Sequence, residues 1–168
     1  MSAPLKIFLS PPDMSERERH YLAEAFASNY IAPVGPALNA FETALREHLG
    51  GNTEAVALNS GTAALHLALR LSGVGPGDAV ILPTVGFAAT AFAVDYTGAT
   101  PVFADVERAT WTLCPDSAAA ALHLATRAGL TPRAIIPVDL YGEPANYAAL
   151  QALAADAGLV MIQDAAEA

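Results

Sequence analysis

The sequence has a single cysteine, Cys114, so no intrachain disulfide can form and a cysteine-based zinc site is ruled out. One thiol and no bridge fit a reducing compartment, which points to the cytoplasm. Lysine is just as scarce. Lys6 is the sole lysine, the other seven basic residues are arginines, and 17 acidic residues bring the net charge to -9. Without clustered basic side chains a chain cannot neutralise a phosphate backbone, so a nucleic-acid partner is excluded. No uninterrupted apolar run reaches the ~18 residues of a membrane span. Residues 1–12 lack a basic stretch followed by an apolar core, so no secretory leader is read. His20, His48, His66 and His123 fall in helical segments without ligand spacing, and no metal site is read.

Apolar residues are plentiful instead. They make up 54% of the chain against 15% charged, which excludes a disordered polypeptide. So apolar a surface also suggests contact with another chain or a further segment. A length of 168 residues suits one domain.

The apolar pattern alternates between two periods. Residues 15–29 read as a helix, with Ser15 and Glu18 at capping-box spacing and Tyr21, Leu22, Ala25 and Phe26 on one face. A loop carrying Pro33 and Gly35 follows. Pro36 suits a first helical position, Phe41, Leu45 and Leu49 recur every four residues, and Gly50-Gly51 ends that helix. Strands are then expected at 55–58, 80–82, 101–103, 134–138 and 159–162. Helices are expected at 62–71, 87–96, 116–127 (capped by Asp116 or Ser117) and 144–157, the last ended by Gly158. The glycine-rich stretch 73–78 follows a helix and precedes a strand, the wrong order for a dinucleotide loop, and reads as a turn. Continuous apolar strands separated by helices imply parallel strands buried on both faces. The fold class is therefore α/β, a doubly wound, mostly parallel sheet with helices on both faces. Its ligand is expected at the C-terminal strand ends. The sequence stops just past a strand, with no closing helix, so an incomplete sheet and a truncated chain are expected.

Three places could carry chemistry. Asn59-Ser60-Gly61-Thr62 joins a strand to a helix, where free N–H groups and the helix dipole attract an anion. Ser60 and Thr62 add hydroxyls, and Gly61 allows close approach; the plain alternative is an ordinary helix cap. Asp164 directly follows the last strand, where a carboxylate could keep a pyridinium nitrogen protonated or simply cap a following helix. Glu167, three residues on, could bond a cofactor hydroxyl or complete a capping box. Phe87, with Thr84, follows the 80–82 strand and could stack on a flat ring or sit in the core. No Gly-x-Ser-x-Gly pattern surrounds Ser60, so a hydrolase triad is unsupported.

Five segments, in order, resemble the DegT/DnrJ/EryC1/StrS family of nucleotide-sugar aminotransferases: Ser28-Asn29-Tyr30-Ile31-Ala32-Pro33-Val34-Gly35-Pro36, Asn59 through His66, Gly98-Ala99-Thr100-Pro101-Val102-Phe103, Pro137-Val138-Asp139-Leu140-Tyr141-Gly142, and Asp164-Ala165-Ala166-Glu167-Ala168. The resemblance implies the large domain of a fold-type-I pyridoxal 5'-phosphate (PLP) enzyme, residues 1–168 being its N-terminal part with the small C-terminal domain absent. It implies that Ser60, Gly61 and Thr62 hold the cofactor phosphate, Phe87 lies against the pyridine ring and Asp164 pairs with the ring nitrogen. Glu167 stands where many relatives have Gln or His, facing the cofactor hydroxyl. Asp139 replaces the His common before Leu-Tyr-Gly.

The resemblance also implies a nucleotide-sugar substrate, an amino-acid donor and a homodimer, in polysaccharide or glycoconjugate biosynthesis. The 28–36 segment looks most like members that aminate C4 of 4-keto-6-deoxy sugars with glutamate. The family's Schiff-base lysine follows the Asp-Ala-Ala segment, beyond Ala168, and Lys6 matches no catalytic motif. The chain alone is therefore expected not to transaminate, and no catalytic residue is assigned within it. Three other readings remain: a fragment of a PLP-dependent sugar dehydratase, which carries His in place of that lysine, a non-catalytic partner or regulatory paralogue, and an unrelated nucleotide-binding α/β module.

Overall fold

A computed structural model describes residues 11–168. Lys6 and the segment read for a leader up to residue 10 lie outside the described residues. The chain divides into two compact units, the first ending at Ala57 and the second running Leu58–Ala168.

The first unit contains two helices, α1 (Glu16–Ala27) and α2 (Pro36–His48). The capping box forms as read. The Ser15 N–H donates to Glu18 Oε2 at 2.7 Å, and Ser15 Oγ accepts from the Arg17 N–H at 3.2 Å. Pro36 opens α2, where its missing N–H would have no helical partner anyway. Residues 55–58 are not a strand. A strand needs a neighbour to take its ladder hydrogen bonds, whereas here the Ala57 N–H donates to the Glu42 carboxylate at 2.8 Å.

The second unit is the α/β part. It runs α3 (Gly61–Leu71), β1 (Asp78–Pro83), α4 (Ala88–Asp95), β2 (Thr100–Ala104), α5 (Pro115–Arg127), β3 (Thr131–Ile135), α6 (Tyr147–Ala157) and β4 (Val160–Met161). The four strands are all parallel, in the order β2-β1-β3-β4. The strands' period of two sorts their side chains between two cores. Val80 and Leu82 of β1 pack with Leu65 and Leu69 of α3 and Ala93 and Val94 of α4. Ile81 packs on the opposite side with Ala118, Ala121 and Leu122 of α5 and Leu150 and Ala154 of α6. Leu69, Ile81, Ile135 and Leu150 are wholly buried, each contributing about 1.5–3 kcal/mol from removal from water.

Prolines account for the larger boundary differences. The β3 strand begins and ends three residues earlier than read. Pro132 sits at a register shift against β1, as expected where a ladder donor is missing, and Pro137, without an N–H, interrupts the regular ladder beyond Ile136. The α5 helix is capped by Cys114 with Pro115 at its first position, not by Asp116 or Ser117. The α6 helix starts at Tyr147 rather than residue 144, because Asn146 caps it by accepting from the Ala149 N–H at 3.3 Å. Gly158 ends α6 in the left-handed conformation, φ 67°.

Candidate functional site

Beyond β1 the chain goes first to one neighbour, β2, and then to the other, β3. The C-terminal edge of the sheet therefore has a switch point, where open α/β sheets bind ligands. A cavity of about 240 Å³ opens there, lined by Thr84, Gly86, Phe87, Thr90, Phe103 and Val138. The Thr84 N–H donates to the Ala104 carbonyl at 2.9 Å and so fixes the loop above β1 to the end of β2.

Phe87 is the N-cap residue of α4, in extended conformation, and is 83% exposed. It is a rim residue of the cavity and not part of the core. Three residues on, Thr90 donates its N–H to the Phe87 carbonyl at 3.2 Å and is buried in the cavity wall. Its hydroxyl donates to Asp164 Oδ2 at 2.6 Å. Asp164 is 9% exposed. Its backbone extends the sheet by bridging Val138, the N–H donating to Pro137 O and the carbonyl accepting from the Asp139 N–H, both at 3.0 Å. Its second carboxylate oxygen accepts only a long bond, 3.4 Å, from the Ala166 N–H, so acceptor capacity remains. The bond from the Ala166 N–H, two residues on, is also of the kind a helix-capping Asp accepts.

Glu167 completes no capping box. Its Oε2 accepts from the Tyr141 N–H at 2.8 Å and ties the segment after β4 to the turn after β3. Ser60 is the N-cap of α3 and accepts from the Ala63 N–H at 3.2 Å. Gly61 opens that helix with no atom within 4 Å of where a Cβ would stand, and Thr62 is part-buried. The short turn from Leu71 to Asp78 brings the end of α3 to the start of β1, which places the Ser60–Thr62 end toward the C-terminal edge of the sheet.

Two participants had no role assigned from the sequence: Thr90, which was not singled out, and Asp139, which was noted only as replacing a His. Thr90 had one legible signal, a lone hydroxyl within the otherwise apolar run Ala88-Ala89-Thr90-Ala91-Phe92-Ala93-Val94. The other is Asp139, which is 2% exposed. It accepts from the Ala145 N–H at 3.0 Å, the Tyr147 hydroxyl at 2.7 Å and the Gln163 amide at 2.6 Å. Burial alone would raise its carboxyl, but these three bonds outweigh it and hold the group below the usual carboxylate range. Burial and the neighbouring Asp139 push the Tyr147 hydroxyl up, so it remains a donor. This network fixes Gln163, and with it the backbone leading to Asp164.

An exposed aromatic face, a buried carboxylate with spare acceptor capacity and a helix N-terminus can hold, respectively, a flat ring, a protonated ring nitrogen and an anion.

The profile of the DegT/DnrJ/EryC1/StrS aminotransferase family matches residues 12–168. EpsN of Bacillus subtilis (strain 168), whose name describes a pyridoxal phosphate-dependent aminotransferase, is 49% identical over 162 residues, covering 96% of this chain and 42% of the relative. A protein of Saccharopolyspora spinosa named dTDP-4-dehydro-2,3,6-trideoxy-D-glucose 4-aminotransferase is 38% identical over 161 residues, 95% of this chain and 40% of the relative. The crystal structure of a DegT DnrJ EryC1 StrS aminotransferase from Brucella abortus superposes with a TM-score of 0.84 at 39% identity, over 90% of this chain and 40% of that one. The chain thus spans about two fifths of the length of these relatives.

Proposed function

Because the chain belongs to the DegT/DnrJ/EryC1/StrS aminotransferase family, we propose that it is the N-terminal part of the large domain of an enzyme that transfers an amino group to a nucleotide-linked keto sugar, with PLP held at the C-terminal edge of the β2-β1-β3-β4 sheet. The observation that carries this reading is the Asp164 carboxylate. It is buried at the end of the sheet, bonded to Thr90, and Thr90 forms the wall of a cavity rimmed by Phe87. When bound, the cofactor supplies an electron sink for breaking and forming bonds to the transferred amino group. Asp164 holds a proton on the ring nitrogen by opposite charge. Phe87 supports the ring face. The N–H groups at Gly61 and Thr62, with the Ser60 and Thr62 hydroxyls, receive the phosphate. Glu167 faces the cofactor hydroxyl while keeping its bond to Tyr141.

The finer substrate reading is C4 of a 4-keto-6-deoxy sugar, with glutamate as donor and a homodimer as the working form. The 28–36 segment and the 4-aminotransferase name of the Saccharopolyspora relative support the C4 position. Lys6 matches no family motif, and we place the reactive lysine outside these 168 residues, since ordinary transamination requires such an amine.

An absorbance titration with PLP, followed by borohydride reduction, peptide mapping and an amino-transfer assay, tests this reading. Saturable binding without a reducible adduct and without turnover is expected of the 168-residue chain. A stoichiometric adduct at Lys6 with turnover contradicts the lysine assignment, and the absence of saturable binding contradicts the cofactor reading. Amination of a 3-keto isomer by the longer enzyme, in preference to the 4-keto sugar, contradicts the C4 assignment.

A further inference from the structure

We infer that Thr90 is a positioning residue for the cofactor ring, holding Asp164 through one carboxylate oxygen and leaving the other to accept the ring N–H. The inference rests on the proposed cofactor reading and adds a residue to it. The backbone of Asp164 is pinned on both sides, by Pro137 and Asp139, but a pinned backbone still leaves the side chain free to rotate. Among the described residues, the only short contact to that side chain is the Thr90 hydroxyl, at 2.6 Å. That length lies in the charge-assisted range for a hydroxyl donating to a carboxylate.

The hydroxyl makes an unusual choice. Thr inside a helix commonly bonds a carbonyl of its own preceding turn, whereas this one reaches a carboxylate 74 positions along the chain. Thr90 is 2% exposed, and a buried hydroxyl without a partner is costly. The two groups therefore satisfy and orient each other. The N-terminal end of α4 has Phe87, its cap residue, on the rim and Thr90, in its first turn, in the wall. That end of the helix thus sets both the surface beneath a ring and the acid that meets its nitrogen.

The test is an equilibrium titration of the chain with pyridoxamine 5'-phosphate, which has no aldehyde and so binds without any lysine. Wild type, Thr90→Val, Thr90→Ser, Asp164→Asn and the Thr90→Val/Asp164→Asn pair are compared, with the ultraviolet absorption of the bound ring recorded as a report of its protonation. Thr90→Val keeps the volume but not the hydroxyl. It is expected to weaken binding about tenfold, which equals about 1.4 kcal/mol, and to shift the bound spectrum in the same direction as Asp164→Asn. Thr90→Ser is expected to restore affinity to within about threefold of wild type, since it restores the donor that such a bond requires. On the Asp164→Asn background the Val substitution is expected to add nothing, because its effect runs through that carboxylate. An unchanged Thr90→Val affinity, or an equal loss on both backgrounds, overturns the inference while the cofactor reading stands. No saturable binding by wild type overturns the cofactor reading and this inference with it.

Discussion

The Tyr141 N–H donates to Glu167 Oε2 at 2.8 Å across 26 positions of the chain. Tyr141 is held in the left-handed region, φ 53°, next to Gly142 at φ 85°. A bulky residue in that conformation stores strain that its surroundings must offset. The Glu167 carboxylate supplies part of that offset. Glu167→Ala is expected to destabilise the second unit by about 0.5–1.5 kcal/mol and to speed hydrogen exchange at the Tyr141 amide, while Glu167→Gln retains much of the protection. Unchanged exchange at Tyr141 in Glu167→Ala contradicts this role.

The Asp139 network sets an acid limb of stability. Its carboxyl is held below its ordinary value of 3.8 by the bonds from Ala145, Tyr147 and Gln163, which outweigh the burial that opposes them. A group whose pKa is depressed by folding stabilises the fold above its unfolded value, and that contribution is lost as the pH falls through the folded value. Asp139→Asn is expected to cost about 1–3 kcal/mol at neutral pH, with the difference from wild type shrinking below the ordinary value. Tyr147 behaves with the opposite sign. Its raised hydroxyl contributes below its ordinary value of 10.0 and loses that contribution as the pH rises beyond it. Denaturant titrations of both proteins across acidic and neutral pH measure the difference, and a gap that stays constant down to strong acid contradicts the assignment.

Ser60 and Thr62 separate a cap from an anion site. Ser60 accepts from the Ala63 N–H, and Ser60→Ala is expected to cost about 0.5–2 kcal/mol of stability as a lost cap. Thr62→Ala removes a proposed bond to a charged group and is expected to weaken pyridoxamine phosphate binding about tenfold or more, as the loss of roughly 1.5–3 kcal/mol implies, with little change in stability. Unchanged affinity in Thr62→Ala removes that residue from the phosphate site.

Gly98 in the Gly-Ala-Thr-Pro-Val-Phe segment has a structural reason. It adopts φ 79°, and an added Cβ would stand 3.0 Å from Pro76 Cγ. Gly98→Ala is expected to cost about 1–3 kcal/mol through left-handed strain and crowding. A melting temperature equal to wild type contradicts it.

The alternation of apolar periods made the order of helices and strands in residues 58–168 legible, because the central strand β1 is buried on both faces and the helices present apolar stripes to the sheet, although the outer strands β2 and β4 keep exposed residues such as Phe103 and Val160. The rule that ligands meet the C-terminal strand ends was enough to single out Phe87 and Asp164. What failed depends on partners rather than local pattern. Residues 55–58 carry a strand's composition but give an N–H to Glu42 instead of a ladder. The Thr90–Asp164 and Asp139–Gln163 pairs join residues 74 and 24 positions apart, and no periodicity reports such a meeting. The strand order had the same obstacle, since β3 passes β2 to lie on the far side of β1.

The most direct measurement is a crystal structure of the chain with pyridoxamine 5'-phosphate. The expected result is a ring lying against Phe87, its nitrogen within hydrogen-bond reach of the Asp164 carboxylate, and its phosphate on the N–H groups that open α3 at Gly61 and Thr62. A ring bound elsewhere, or one seated in the cavity with its nitrogen away from Asp164, contradicts the proposed site.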